Sequence, residues 1–184
     1  DDGERLHLRV RGEGPPLILL HGWTSSHAIW NVLPESFQHR HRMYCPDARG
    51  HGGHTLQVNR RPDVGRLARD VLNLMDHYGL EQAAIVGHSM GALTLWQFIR
   101  DFGCERISRL CIIDQSPRLV TDAAWANGIY GDFDSARSQR MLDDLKADFA
   151  EAVLRLSAYS LNARSRQTYE RDSRGWQQSR RNLR

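Results

Sequence analysis

The stretch IVGHSMGALTLW, residues Ile85 to Trp96, decides the fold of this chain. It begins with apolar residues, passes through the glycine-flanked segment Gly87–Gly91, and ends in an amphipathic pattern. This order predicts a buried strand, a sharp turn and a helix. The turn would carry the side chain of Ser89 at its tip.

Such a turn can present a nucleophile. The pattern G-x-S-x-G, here GHSMG, has a glycine on each side of Ser89, which suits a close approach of strand and helix. The start of the helix favours negative charge that develops beside the serine. Ser89 is therefore the candidate nucleophile, and it needs a general base because a serine hydroxyl is a weak nucleophile at neutral pH.

Short apolar runs occur at residues 17–20, 83–86 and 110–113. Continuous apolarity over so few residues predicts strands covered on both faces, as in a parallel sheet. A weaker run at residues 41–47 predicts a further strand, and the alternation over residues 5–12 predicts a half-exposed edge strand.

Helical patterns separate these strands. We expect helices over residues 26–37, 61–80 and about 90–102, and the second opens with Pro62 and Asp63, a common helix start. The alternation of strands and helices predicts a doubly wound, mostly parallel α/β sheet. From residue 121 onward the sequence predicts helices without a strand, most clearly over residues 141–156.

Composition excludes several classes of protein. The 184 residues are 40% hydrophobic and 26% charged, with a net charge of +3, as in ordinary globular proteins. No apolar run approaches the roughly 20 residues of a membrane span, and no signal peptide is visible. We expect no nucleic-acid or membrane partner and a cytoplasmic location. The oligomeric state is left open.

The cysteines form no metal-binding pattern. Cys45, Cys104 and Cys111 lack a CxxC pair. We expect them to be small buried hydrophobic residues.

A second segment, LILLHGWTSS, places His21 and Gly22 at the end of the first core strand. There the backbone N–H of Trp23 can point toward the serine. Together with the N–H of Met90 it would form an oxyanion hole for a tetrahedral intermediate. The alternative is that His21 and Gly22 only shape a turn.

Together these segments resemble the α/β-hydrolase superfamily, in particular its small bacterial esterases and non-haem haloperoxidases. The resemblance covers residues 2–117 through DGERLHLRVRGEGPPLILLHGW, PDARGHGGH, GHSMG and RLCIIDQSP. It implies the N-terminal part of an α/β-hydrolase core over residues 1–118 and a helical cap over residues 119–184. It further implies a serine hydrolase that acts on a small-molecule carboxylic ester, thioester or related acyl bond, with no metal or organic cofactor.

Other functions remain open on the same site. Cofactor-free perhydrolysis of the haloperoxidase type, carbon–carbon bond hydrolysis and acyl transfer use the same turn. A non-catalytic ligand-binding protein of this fold is the alternative of another class. In the cap, Trp125, Tyr130 and Phe133 would either line an apolar acyl pocket or serve in packing.

The resemblance also assigns the loop PDARGHGGH. Asp47, Arg49, Gly50 and Gly52 would shape this loop near the site rather than take part in chemistry, and we interpret the nearby histidines in the same way. The chain departs from the family where Gly53, His54 and Thr55 follow in place of an early small residue such as serine.

Asp114 ends the strand LCIID. Active groups gather at the carboxyl ends of parallel strands, so Asp114 is a candidate for the acid of a catalytic triad. The alternatives are a turn residue ahead of Pro117, and an acid that follows one strand later.

No histidine follows Ser89. The nine histidines are at positions 7, 21, 27, 39, 41, 51, 54, 77 and 88, whereas the family order is nucleophile, acid, histidine. We therefore expect the base beyond residue 184, together with the final strands of the sheet. Residues 1–184 alone would then expose an apolar sheet edge and show only trace activity. The alternatives are a member that has lost catalysis, and an upstream base such as His27 or His54.

Overall fold

The computed structural model describes residues 1–56 and 62–158, together with residues 167, 181 and 183. The chain divides into two compact units, Asp1–Pro117 and Arg118–Arg184. Most of the second unit beyond residue 158, and the start of the helix expected from residue 61, lie outside the described residues.

The first unit contains a five-stranded sheet with the strand order β1-β3-β2-β4-β5. Only β1 is antiparallel to its neighbour, and the other pairs are parallel. The expected α/β sheet is therefore confirmed. Its strands are β1 (Leu8–Arg11), β2 (Pro16–Leu20), β3 (Arg42–Pro46), β4 (Ala83–His88) and β5 (Ile107–Ile113).

Two helices of this unit have the positions that the sequence predicts. Helix α1 spans Val64–His77, and the side chain of Asp63 accepts a hydrogen bond from the N–H of Arg66 at its start. Helix α2 spans Met90–Phe102 and ends at Gly103, whose φ is +78°. Side chains of both helices and of the sheet form the main core, which includes Ile18, Tyr44, Val71, Met75, Ile85, Leu95 and Phe98.

The helix expected over residues 26–37 does not form as one element. Two short 3-10 helices, His27–Val32 and Glu35–Phe37, take its place. The break lies at Leu33, which is extended with ψ at 136°. A residue that precedes proline is displaced from the helical region, and Pro34 itself has no N–H for a helical hydrogen bond.

Helix α2 lies unusually close to the sheet because two positions carry no side chain. A Cβ at Gly91 would lie 2.4 Å from the carbonyl oxygen of Leu20 in β2. A Cβ at Gly87 would lie 2.6 Å from the backbone of Gly91. Any larger residue at either position would push the helix away from the strands.

We expect Gly91→Ala to lower the free energy of unfolding by about 1–3 kcal/mol, the usual cost of overpacking. Gly65→Ala in α1 is the control, because the nearest atom to its new Cβ is the side-chain Oδ1 of Asp63, 3.3 Å away. Urea unfolding followed by circular dichroism measures both. Equal stability of the two variants would contradict the close approach.

Strand β5 forms one edge of the described sheet, as expected for residues 1–184 alone, but it is not covered on both faces as its apolar run predicts. Leu110 and Ile113 are 40% and 38% exposed. Cys104 and Cys111 are also exposed, whereas Cys45 is buried in β3. The expectation of buried cysteines is therefore right for Cys45 and wrong for Cys111, which lies on the edge strand, and for Cys104, which precedes that strand.

Thiol reactivity should follow this difference. Burial raises the pKa of the Cys45 thiol to about 11, and a thiol reacts as its thiolate. We expect Ellman's reagent at mildly alkaline pH to label two thiols of the 184-residue chain rapidly and the third only in denaturant. Rapid labelling of all three would contradict the burial of Cys45, and Cys45→Ala should leave the rapid phase unchanged.

In the second unit, the single helix expected over residues 141–156 is two helices. Helix α3 spans Ser135–Ala147, and α4 spans Phe149–Ala158. Asp148 between them is extended, with φ at −151°, and its side chain accepts a hydrogen bond from the N–H of Glu151. Asp148 thus caps the second helix and interrupts the first.

The described part of the second unit contains one isolated β-bridge, between Asp122 and Trp125, and no longer strand. Across the described residues of the chain, no helix is both long and apolar enough to cross a membrane.

Candidate active site

Ser89 occupies the turn between β4 and α2. Its φ of 50° and ψ of −112° are rare for a residue with a side chain. Its N–H donates to the carbonyl of Ile113 at 3.0 Å, and its own carbonyl accepts from the N–H groups of Ala92 and Leu93. These bonds hold the strained conformation, which costs about 1–3 kcal/mol.

The turn at His21 and Gly22 packs directly against Ser89. A Cβ at Gly22 would lie 3.3 Å from the Cβ of Ser89 and 2.9 Å from Nδ1 of His88. Trp23 follows in the chain, and Met90 is the first residue of α2, where helical N–H groups lack partners within the helix. The two segments expected to supply oxyanion donors therefore meet. The role of Trp23 and Met90 stays a prediction.

Asp114 directly follows β5, as Ser89 directly follows the neighbouring strand β4. The register pairs His88 of β4 with Ile113 of β5, and adjacent strands are about 4.8 Å apart. Asp114 is exposed and has a φ of 53°. The structure thus brings Ser89 and Asp114 to the same edge of the sheet, and the role of Asp114 as a triad acid stays a prediction.

Asp47 follows β3 and is only 1% exposed. Its Oδ1 accepts a 2.6 Å hydrogen bond from the backbone N–H of His27. Its Oδ2 lies 2.9 Å from Nδ1 of His27 and 3.1 Å from Nδ1 of His7. Burial by itself would raise the pKa of Asp47, but the hydrogen bonds and charge of His27 outweigh it and the pKa is lowered.

His21 connects the turn beside Ser89 to the loop that carries Asp47. Its Nδ1 lies 2.8 Å from the carbonyl of Gly22 and so carries the proton, because a carbonyl can only accept. Its Nε2 accepts from the N–H of Ala48. Burial lowers the pKa of His21, which keeps the ring neutral. With both ring nitrogens engaged, His21 has a structural role.

Arg49 holds the same loop through carboxylates. It donates to both oxygens of Asp70, at 2.5 and 2.8 Å, and to Asp2. The hydrogen bonds to Asp70 and Asp2 raise the pKa of Arg49, and the bond from Arg49 lowers the pKa of Asp2 to about 2. These contacts are consistent with a loop-shaping function.

The other histidines near this loop also have partners. His54 lies 3.0 Å from a carboxylate oxygen of Glu4, and Nδ1 of His51 lies 2.9 Å from the carbonyl of Arg49. Gly50 and Gly52 have φ values of 71° and 63°, which glycine adopts without strain.

Comparison of the sequence with models of known families identifies the family to which this geometry belongs. Residues 15–183 match the model of the α/β-hydrolase fold. The chain belongs to this family. The observed sheet and the turn of Ser89 have the arrangement expected of it.

Curated relatives are hydrolases and a haloperoxidase. The chain is 33% identical over 124 residues to a soluble epoxide hydrolase of Corynebacterium sp. (strain C12), covering 65% of this chain and 41% of that protein. It is 29% identical over 139 residues to a pimeloyl-[acyl-carrier protein] methyl ester esterase of Vibrio vulnificus (strain YJ016), covering 76% of this chain and 51% of that protein.

A non-heme haloperoxidase of Rhodococcus erythropolis is 30% identical over 120 residues, with 65% of this chain and 43% of that protein covered. These relatives confirm the resemblance to esterases and haloperoxidases of the α/β-hydrolase fold. The chain spans about half the length of the curated relatives it matches.

The first unit of this α/β-hydrolase contains a cavity of about 480 Å³ between the N-terminal segment and helices α1 and α2. Its walls include Leu20, His21, Met90 and Thr94, but neither Ser89 nor Asp114. It lies beside the first turn of α2 rather than at the nucleophile, so we do not assign the substrate to it.

The second unit contains a cavity of about 410 Å³. Tyr130 and Phe133 line it, as do the cationic residues Arg137, Arg140 and Arg155. Trp125 is not among its walls, and its indole nitrogen is buried without a hydrogen-bond partner among the described residues. Asp144, Met141 and Leu156 also line the cavity, so charged and apolar side chains share its walls, and an acyl pocket here stays a prediction.

The strain at Ser89 should be measurable. We expect Ser89→Gly to be more stable than Ser89→Ala by about 1 kcal/mol, because glycine adopts a positive φ without cost and alanine does not. Chemical denaturation of the two variants measures the difference. Higher stability of the alanine variant would show that the turn is unstrained.

Proposed function

We propose that this protein is a serine hydrolase that cleaves a carboxylic ester, thioester or related acyl bond. The observation that carries the proposal is the turn of Ser89, a serine with positive φ at the start of α2 and with Gly22 packed against it. Strained backbone of this kind clusters at functional sites.

The proposed chemistry begins with attack of Ser89 Oγ on the acyl carbon. The N–H groups of Trp23 and Met90 would donate to the oxyanion, and one such donor contributes about 10²- to 10³-fold in kcat. A histidine would accept the proton of Ser89 and return it to the leaving group. Asp114, which directly follows β5, would orient that histidine.

The hydroxyl nucleophile favours an acyl substrate over an epoxide. Attack of Ser89 on an acyl group gives an ester, whose carbonyl carbon water attacks in a second step. Attack on an epoxide would instead give an ether, which has no carbonyl for water to attack. Among the relatives named above, the methyl ester esterase therefore offers the better guide to the substrate class.

We expect Ser89→Ala in the full-length protein to reduce turnover of short p-nitrophenyl esters by about 10⁶-fold, the effect of removing the serine from such a catalytic unit. Ser108→Ala is the matched control, because Ser108 is an exposed serine of β5. Release of p-nitrophenol measures both. Undiminished hydrolysis by Ser89→Ala would remove Ser89 from the mechanism.

An activated phosphonate separates the enzyme from a non-catalytic binding protein. Rapid labelling that is lost in Ser89→Ala and retained in Ser108→Ala supports the enzyme. Absence of labelling in the unmodified protein would favour the binding protein.

A further inference from the structure

Three potential metal ligands from separate segments meet beside the loop after β3. His7 precedes β1, His27 begins the first 3-10 helix, and Asp47 follows β3. One ligand atom from each of the three lies within 4.8 Å of those of the other two. Asp47 is 20 positions from His27 and 40 positions from His7 in the sequence. The fold and not the local sequence therefore brings the three residues together.

The spacing of the ligand atoms is close to that of a zinc site. Nδ1 of His27 and Nδ1 of His7 lie 2.9 and 3.1 Å from the same oxygen, Oδ2 of Asp47. Metal–ligand bonds of about 2.0–2.1 Å in tetrahedral geometry separate neighbouring ligand atoms by about 3.3 Å. Both nitrogens therefore lie a few tenths of an ångström closer to this oxygen than in such a site, and all three ligand atoms lie within 4.8 Å of one another, so small side-chain shifts would be needed to admit the ion.

The carboxylate of Asp47 is held in the orientation that a ligand needs. Its other oxygen, Oδ1, accepts the 2.6 Å hydrogen bond from the backbone N–H of His27 and also lies 3.0 Å from Nδ1 of His27. Oδ2 is the oxygen that both imidazoles approach. Hydrogen bonding of a ligating carboxylate by a neighbouring group is usual at metal sites. Gly52 contributes by its lack of a side chain, since a Cβ there would lie 2.4 Å from Oδ2.

One side of the set is open to solvent. The side chain of Asp47 is 1% exposed, while those of His27 and His7 are 22% and 57% exposed. An ion bound here would have a buried anionic ligand on one side and access to water on the other. Three protein ligands and a water complete a four-coordinate zinc ion.

We propose that His7, His27 and Asp47 bind a divalent transition metal ion, with Zn²⁺ as the preferred ion. Imidazole nitrogens and a carboxylate are ligands that Zn²⁺ accepts. On binding, each neutral imidazole offers the lone pair of Nδ1 and carries its proton on Nε2. The ion would tie the segment before β1 and the loop after β2 to the loop after β3. This inference does not depend on the proposed hydrolase activity.

Titration of the metal-free full-length protein with Zn²⁺ in a calorimeter tests the proposal. We expect one equivalent of Zn²⁺ to bind. His7→Ala should weaken binding by at least about tenfold, because even loss of a residue that only hydrogen-bonds to a metal ligand lowers affinity by about that factor. His7 suits the test because its backbone carbonyl, which accepts from the N–H of Asp47, is retained in the variant. His39→Ala, at an exposed histidine, is the control for adventitious binding.

Co²⁺ provides a second measurement that reports geometry. We expect the visible spectrum of a four-coordinate Co²⁺ complex in the unmodified protein and in His39→Ala, and its loss in His7→Ala and in His27→Ala. Equal Zn²⁺ affinity of His7→Ala and His39→Ala would overturn the proposal, as would the absence of one-to-one binding. A six-coordinate spectrum would overturn the assignment to tetrahedral zinc.

Discussion

The close contact of helix α2 with strands β2 and β4 is the constraint on which the active-site geometry depends. The chain must turn from the end of β4 into α2 within a single residue, because β4 ends at His88 and α2 begins at Met90. Gly87 and Gly91 permit this, since a Cβ at either would overlap backbone atoms. Ser89 is thereby forced into positive φ at the carboxyl edge of the sheet.

A second residue with positive φ lies at the same edge of the sheet. Asp114 at the end of β5 also has positive φ, and the residue before it accepts the N–H of Ser89. Each such conformation costs about 1–3 kcal/mol, so the surrounding structure must compensate. Fully buried core residues such as Ile85 and Leu95, on the two elements that flank Ser89, keep strand and helix in place.

Charged groups organise the loop after β3 in two different ways. Asp47 is buried among imidazoles, whereas Arg49, two residues later, is paired with the carboxylates of Asp70 and Asp2. A buried charge without such partners would be strongly destabilising. The loop is therefore fixed by hydrogen-bonded partners at both residues, and His21 joins it to the turn beside Ser89.

The sequence by itself determined the sheet, helices α1 and α2 and the turn of Ser89, because apolar period, caps and glycines act over a few neighbouring residues. Pro34 is a local signal for a break in the helix expected over residues 26–37, but the helical spacing of the apolar residues outweighed it in the prediction. Only the tertiary structure decided that His7 and His27 converge on Asp47 and that His21 joins the turn beside Ser89 to the loop after β3. Those features depend on contacts between residues 20 or more positions apart, and their formation requires the folded sheet to bring the segments together.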